Sequence, residues 1–245
     1  MNRVYISPST QDKNVGVNDY GTEENRMNLI ADTVVQLLQY NHFEVYRNKP
    51  SMTLQQAVAD SDSKRVDVHL AIHSNAGGGK ARGGEIFYKS TNGQKLASAV
   101  YKYLEPLTPT QDRGVKKHEH LYELNKTKAV AALAEVAFHD NADDAYFIMT
   151  HIYEFGEAIA HGICDYFDVD FIKPQPVTNK YYIETGSFNS LEAAEETLKK
   201  HFTDKGLWGK IKCYIESGTF NSKESAQPIV DSMSKDGLWS TIKEE

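Results

Sequence analysis

Val66-Asp67-Val68-His69-Leu70-Ala71-Ile72-His73-Ser74-Asn75-Ala76, closed by Gly77-Gly78-Gly79, is the stretch on which the fold turns. An apolar run rich in β-branched residues and bounded by glycines reads as a buried strand that ends abruptly. His73 therefore stands at its C-terminal tip. In open α/β sheets ligands bind at that edge, because strands stop there and loops converge on one point. A histidine at the tip can reach a metal or a substrate, whereas His69, in mid-strand, reads as a buried imidazole with its hydrogen bonds satisfied.

On either side of this strand, helical and extended patterns alternate. Residues 3–6 read as a first strand, broken by Pro8, and residues 7–18 as a polar loop at its end. Residues 24–40 carry Met27, Ile30, Ala31, Val34, Val35, Leu37 and Leu38 at the spacing of one helical face. Residues 43–46 form a short strand, and residues 53–61 a helix capped by Ser51 or Thr53. Beyond the glycines, residues 84–88 read as a strand, 94–104 as an amphipathic helix and 108–124 as loop. Residues 130–138 are an apolar run with Glu135 embedded near the C-terminal end, where an ionised, unpaired carboxylate costs several kcal/mol. Residues 142–167 follow as one long amphipathic helix or two consecutive ones. This alternation predicts an α/β fold, a mostly parallel sheet flanked by helices on both faces.

The composition excludes some functions. The chain has 245 residues, 40% hydrophobic and 25% charged, the make-up of an ordinary globular protein of one or two domains. A formal charge of −7 argues against nucleic acid as a partner, since neutralising phosphates needs a basic face. Cys164 and Cys213 form neither a C-x-x-C pair nor a disulfide framework and read as packing residues. No segment has the eighteen or so apolar residues of a membrane span, and residues 1–8 lack the apolar region of a secretory signal. The expectation is synthesis in the cytoplasm without a signal peptide.

Residues 171–178, with Pro174 and Pro176, read as a linker, and beyond them the chain repeats itself. Tyr182-Ile183-Glu184-Thr185-Gly186-Ser187-Phe188-Asn189-Ser190 returns as Tyr214-Ile215-Glu216-Ser217-Gly218-Thr219-Phe220-Asn221-Ser222, and Gly206-Leu207-Trp208 as Gly237-Leu238-Trp239. Two β-α-β copies of about thirty residues, each too small to hold a core alone, predict one small α+β domain. The expected organisation is 1–169 as catalytic domain, 170–179 as linker and 180–245 as the repeat domain.

A hydrolytic zinc site needs a few imidazole or carboxylate ligands from separate elements and one open position for water. His73 and Glu24 fit such a site, with Glu135 near the same edge as general base on the activated water and proton donor to the leaving amine. At these residues the chain resembles the zinc-dependent N-acetylmuramoyl-L-alanine amidases of the family called amidase type 3. The marks are Gly21-Thr22-Glu23-Glu24, Ile72-His73-Ser74-Asn75-Ala76, Gly84-Glu85-Ile86-Phe87-Tyr88, Arg113-Gly114-Val115-Lys116, and Ala134-Glu135-Val136-Ala137-Phe138 with Asn141. The resemblance runs from about residue 3 to residue 169. It implies that Glu24 and His73 bind Zn²⁺ and that Glu135 is catalytic; Asn75 and Arg113, within the matching motifs, are expected to bind the substrate. That substrate is bacterial peptidoglycan, cut between muramic acid and L-alanine.

One departure stands out. The family places a further zinc-binding histidine after the first strand, where this chain reads Ser7-Pro8-Ser9-Thr10-Gln11. Gln11 is the first choice to replace it, with Thr10 holding a water or His139 as the alternatives. The C-terminal copies resemble a sporulation-related repeat domain that binds glycan strands, which implies that Tyr182, Tyr214, Trp208 and Trp239 stack on sugar rings, although the tryptophans serve core packing equally well. The resulting expectation is a peptidoglycan hydrolase that reaches the wall through a holin or upon cell lysis, as a phage endolysin or a mother-cell autolysin. A non-catalytic wall-binding protein with a degenerate amidase domain is the rival, and a zinc peptidase acting within the stem peptide a second one.

Overall fold

The computed structural model describes residues 2–107 and 112–174, and beyond them residues 181–185, 193, 196, 197, 200, 209–211, 215–217, 222–235 and 240–244. The chain divides into two units, Met1–Pro174 and Gln175–Glu245.

In the first unit the order is β1 (Arg3–Pro8), α1 (Glu23–Tyr40), β2 (Glu44–Arg47), α2 (Leu54–Lys64), β3 (Val68–Asn75), β4 (Glu85–Tyr88), α3 (Thr91–Leu104), β5 (Val115–Lys117), α4 (Tyr122–Lys126), β6 (Val130–Phe138), α5 (Ala142–Thr150) and α6 (Ile152–Tyr166). The strands form one six-stranded sheet in the order β2-β1-β3-β6-β4-β5. β2, β1, β3 and β6 run parallel; β4 is antiparallel to β6, and β5 parallel to β4. This is a mixed α/β fold with a mostly parallel, helix-flanked sheet.

The pleat divides each strand between two faces. Val4 and Ile6 of β1, Leu70 and Ile72 of β3, Ala132, Ala134 and Val136 of β6 and Ile86 of β4 join one apolar core with α1, α3 and α6. Helix α6 packs against both α1 and α3. Glycines allow this close fit: a Cβ on Gly156 would meet Thr33 Cβ at 2.5 Å, and one on Gly162 would meet Val100 Cα at 2.3 Å. The opposite face carries a smaller cluster of Ala71, Leu124, Ala131 and Leu133, and polar groups besides. Thr53 caps α2 there through a capping box with Gln56.

Several expectations shift. The stretch read as loop contains β5 and α4, which are only three and five residues long and so too short for periodicity to register. Residues 142–167 take the second of the two expected forms, two consecutive helices, broken at His151 with φ −128°. Ile172 N–H donates to Asn41 Oδ1 at 2.7 Å and Asn41 Nδ2 donates to Ile172 O at 3.0 Å, which ties residue 172 to the end of α1. Cys164 is buried in the core as a free thiol, while Cys213 lies outside the described residues. Among the described residues no helix is long and apolar enough to cross a membrane.

The second unit holds β7 (Tyr181–Thr185), β8 (Gly209–Ile211), β9 (Ile215–Ser217), α7 (Lys223–Lys235) and β10 (Ser240–Glu244), the strands forming an antiparallel sheet in the order β10-β7-β9-β8. Ala226, Ile229 and Met233 line the buried side of α7.

Candidate active site

His69, Ala71 and His73 alternate along β3 onto the face turned away from the apolar core. In register beside them are Tyr5 and Ser7 on β1 and Ala131, Leu133 and Glu135 on β6. Glu85 on β4 lies in register with Glu135. Three adjacent strands thus bring His73, Glu135 and Glu85 into one row at the carboxyl end of the parallel strands. Two further carboxylates close on His73: Glu23 Oε1 stands 2.8 Å from its Nδ1, and Glu123 Oε2 stands 3.3 Å from its Nε2.

Charge in this row is set by burial and pairing together. Burial opposes charge on His73, but hydrogen bonds to Glu123 and Glu23 outweigh it and hold the imidazole well above its ordinary range. Burial likewise opposes ionisation of Glu123 and Glu23. His69 and His73 nevertheless keep Glu123 far below the usual carboxylate range, and His73 keeps Glu23 below it. Glu135 has no such partners: its Oε2 is buried without a hydrogen bond. Burial first, then the charges of Glu23, Glu85 and Glu123, push its carboxyl up to about 8, against a lowering by His73.

Glu24 does not reach His73; the adjacent Glu23 does. Thr22 caps α1, its Oγ accepting from Asn25 N–H at 3.2 Å, so that Glu23 opens the first turn. At 100° per residue, Glu23 falls about 25° from the centre of the apolar face of α1 and Glu24 about 75° from it. Glu23 is accordingly buried and Glu24 half-exposed.

Gln11 lies at the site: its Nε2 is 3.5 Å from His73 Nδ1, and its Oε1 accepts from Asn14 Nδ2, which also donates to Glu23 Oε2 at 2.7 Å. His139 is engaged elsewhere, with Nδ1 2.9 Å from Ser74 O and 3.0 Å from Ser74 Oγ. Asn75 Nδ2 donates to Glu85 Oε1 at 2.9 Å, Arg113 Nε donates to the same oxygen at 3.0 Å, and Lys116 Nζ pairs with Oε2. Both predicted substrate contacts are therefore gathered on Glu85. Tyr182 lies in β7, paired with Lys243 of β10; Tyr214, Trp208 and Trp239 lie outside the described residues.

Sequence reasoning missed Glu23, Glu85 and Glu123. For Glu123 one signal existed: a carboxylate set between Leu121 and Leu124, upstream of an apolar strand, in a chain whose buried His69 needs a partner.

Among the described residues, no three His, Cys, Asp or Glu side chains converge to hold a metal ion. What does converge on His73 Nδ1 is one carboxylate, Glu23, and one amide, Gln11. Turning that amide about its terminal bond gives up the bond accepted from Asn14 Nδ2, exchanges its oxygen and nitrogen, and completes a set of imidazole nitrogen, carboxylate oxygen and amide oxygen. Such a set, beside the unpaired buried oxygen of Glu135, fits a divalent cation.

The family model described as N-acetylmuramoyl-L-alanine amidase matches residues 4–165. The chain belongs to this family. Among curated relatives of this chain, the Bacillus subtilis protein YqiI is 32% identical over 123 residues, covering 48% of this chain and 59% of that protein. An uncharacterised cell wall amidase of Bacillus anthracis is 33% identical over 129 residues, covering 44% of this chain and 24% of that protein. The chain thus spans less than two thirds of either relative. Among solved structures, the catalytic domain of CwlV, an N-acetylmuramoyl-L-alanine amidase from Bacillus (Paenibacillus) polymyxa var. colistinus, aligns with a TM-score of 0.64 and 25% identity, covering 69% of this chain and 100% of that one. AmiC2 of Nostoc punctiforme aligns with a TM-score of 0.63 and 21% identity, over 68% of this chain and 97% of that one, a likeness of fold.

Proposed function

We propose that this amidase hydrolyses the amide between N-acetylmuramic acid and the L-alanine of the peptidoglycan stem peptide. The observation that carries the reading is the unpaired, buried Oε2 of Glu135, in register with His73 at the edge where the parallel strands end. Glu23, His73 and Gln11 are the residues that would hold a zinc ion. When bound, zinc supplies a Lewis acid for the scissile carbonyl and acidifies water. Glu135 takes the proton of the attacking water and returns it to the departing amine of L-alanine; burial raises its carboxyl to about 8 in the metal-free protein, and beside a bound cation it would fall toward the neutral range where such two-way transfer runs. Residues 180–245 serve as the wall-binding unit in this reading, with Tyr182 and Tyr214 stacking on sugar rings and no part in the chemistry.

Glu135→Gln keeps the shape and removes the base. It should lower the release of free L-alanine amino termini from purified walls by about 10²–10⁴-fold while wall binding persists; release at the wild-type rate would defeat the mechanism. The rival, a wall-binding protein whose amidase domain has lost its metal, is favoured by the absence of histidine before His42 and by the carboxylates on both ring nitrogens of His73. Zinc content of the purified protein and turbidity loss of a wall suspension separate the two.

A further inference from the structure

Behind His73, on the side away from Gln11 and Glu23, lies a buried chain of polar groups that the proposed reaction does not use. Glu123 is 3% exposed and stands in the first turn of α4. Ser7 Oγ donates to its Oε1 at 2.6 Å, His69 Nε2 stands 3.1 Å from the same oxygen, and His73 Nε2 stands 3.3 Å from Oε2. His69 Nδ1 in turn stands 2.9 Å from Ser61 Oγ on α2, and its ring stacks on Tyr5 at 5.4 Å between centroids.

Donor and acceptor bookkeeping settles which way these bonds run. An ionised carboxylate only accepts, so each ring nitrogen facing Glu123 carries a proton. His69 donates from Nε2 and takes the Ser61 hydroxyl on Nδ1. His73 donates from Nε2 to Glu123; by the same argument its Nδ1, 2.8 Å from Glu23 Oε1, also carries a proton while no cation is bound, and Nδ1 is the atom turned to Glu23 and Gln11. A histidine that binds a ligand or metal through one nitrogen is commonly fixed by a carboxylate on the other, which sets both tautomer and ring angle.

We propose that Glu123 is a positioning residue: held by Ser7 and His69, it fixes the ring of His73 with Nε2–H donated to it and so aims Nδ1 into the site. This rests on the reading of His73 as part of an amidase site, but the bond itself can be observed without activity. The seat is prepared by three elements, with Ser7 at the end of β1, His69 two residues before His73 on β3, and Ser61 near the end of α2. A carboxylate with three donors from three directions cannot rotate without abandoning at least one.

The test uses the full chain with ¹⁵N-labelled histidine, comparing wild type, Glu123→Gln and Glu123→Ala. In the wild type the long-range ¹⁵N–¹H spectrum of His73 should carry a slowly exchanging proton on Nε2. In Glu123→Ala that proton should exchange at least tenfold faster, with an intermediate rate in Glu123→Gln, whose amide oxygen still accepts. Zinc binding, measured by competition with a chromophoric chelator, should weaken by about 10–100-fold in Glu123→Ala. The proposal falls if the Nε2 proton of His73 behaves alike in wild type and variants, or if the wild-type neutral ring carries its proton on Nδ1 alone. Should Glu123→Ala fail to fold, Glu123→Gln gives the same readout. A wild type that binds no zinc while keeping the protected Nε2–H overturns the metal reading and leaves this one standing.

Discussion

The two faces of the six-stranded sheet are built from alternate residues of the same strands, yet they hold opposite kinds of groups. On the face under α1, α3 and α6 stand Val4, Ile6, Leu70, Ile72, Ala132, Ala134 and Ile86, each fully shut off from water. One residue along stand Ser7, His69, His73 and Glu85, buried almost as deeply, and Glu135, half-buried. The aliphatic face supplies folding energy, roughly 1.5–3 kcal/mol for each large side chain withdrawn from water. The polar face cannot do so, because taking a charge out of water costs several kcal/mol and pairing only offsets it. Stability and chemistry are therefore separated by a single step of the pleat, and perturbations of the two faces should separate as cleanly.

The largest contrast sets Glu135→Gln against Leu70→Ala. The first should lose about 10²–10⁴-fold in rate with little loss of stability at neutral pH, and the second about 2–5 kcal/mol of stability with the rate per folded molecule retained. Urea unfolding and amine release, measured on both, check it; a Leu70→Ala protein that is stable but inactive would break the division.

The next effect follows from titration. The Glu135 carboxyl is raised from an ordinary 4.5 to about 8, so the folded state holds its proton more tightly than the unfolded chain. Its contribution to stability is complete below about pH 4.5 and is lost as pH rises through about 8. Glu135→Gln does not titrate. In the presence of chelator, wild type should thus lose about 5 kcal/mol relative to the variant between pH 4.5 and 9. Thermal unfolding of both across that range measures it, and parallel curves would remove Glu135 from the unpaired position given to it here.

A smaller effect concerns the apolar side alone. Gly162→Ala drives a methyl into the backbone of Val100 and should cost about 1–3 kcal/mol, with kcat unchanged. A fall in kcat without a fall in stability would mean that the α3–α6 contact reaches across the sheet to the site.

Much of the first unit was legible because its signals are local. The run of residues 66–76 announced a central strand, and Met27, Ile30, Ala31 and Val34 announced α1, since a period of two or of 3.6 is written along the chain itself. Glu135 was legible as a carboxylate out of place in an apolar strand. Less accessible were groups whose role depends on partners far away in sequence. Glu23 and Glu24 are adjacent carboxylates in the same first turn, and only the wheel position against Met27 and Ile30 favours the first.

Glu123 sits in a five-residue helix that leaves no periodic trace, and it meets Ser7 and His69 across separations of 116 and 54 residues. The sequence by itself determined the alternation of elements, the tip position of His73 and the anomaly of Glu135, because each follows from neighbours within a few residues. The tertiary structure alone decided which carboxylate touches which ring nitrogen. A hydrogen bond is fixed by distances of tenths of an ångström between elements whose relative placement comes from packing, and no local pattern encodes that.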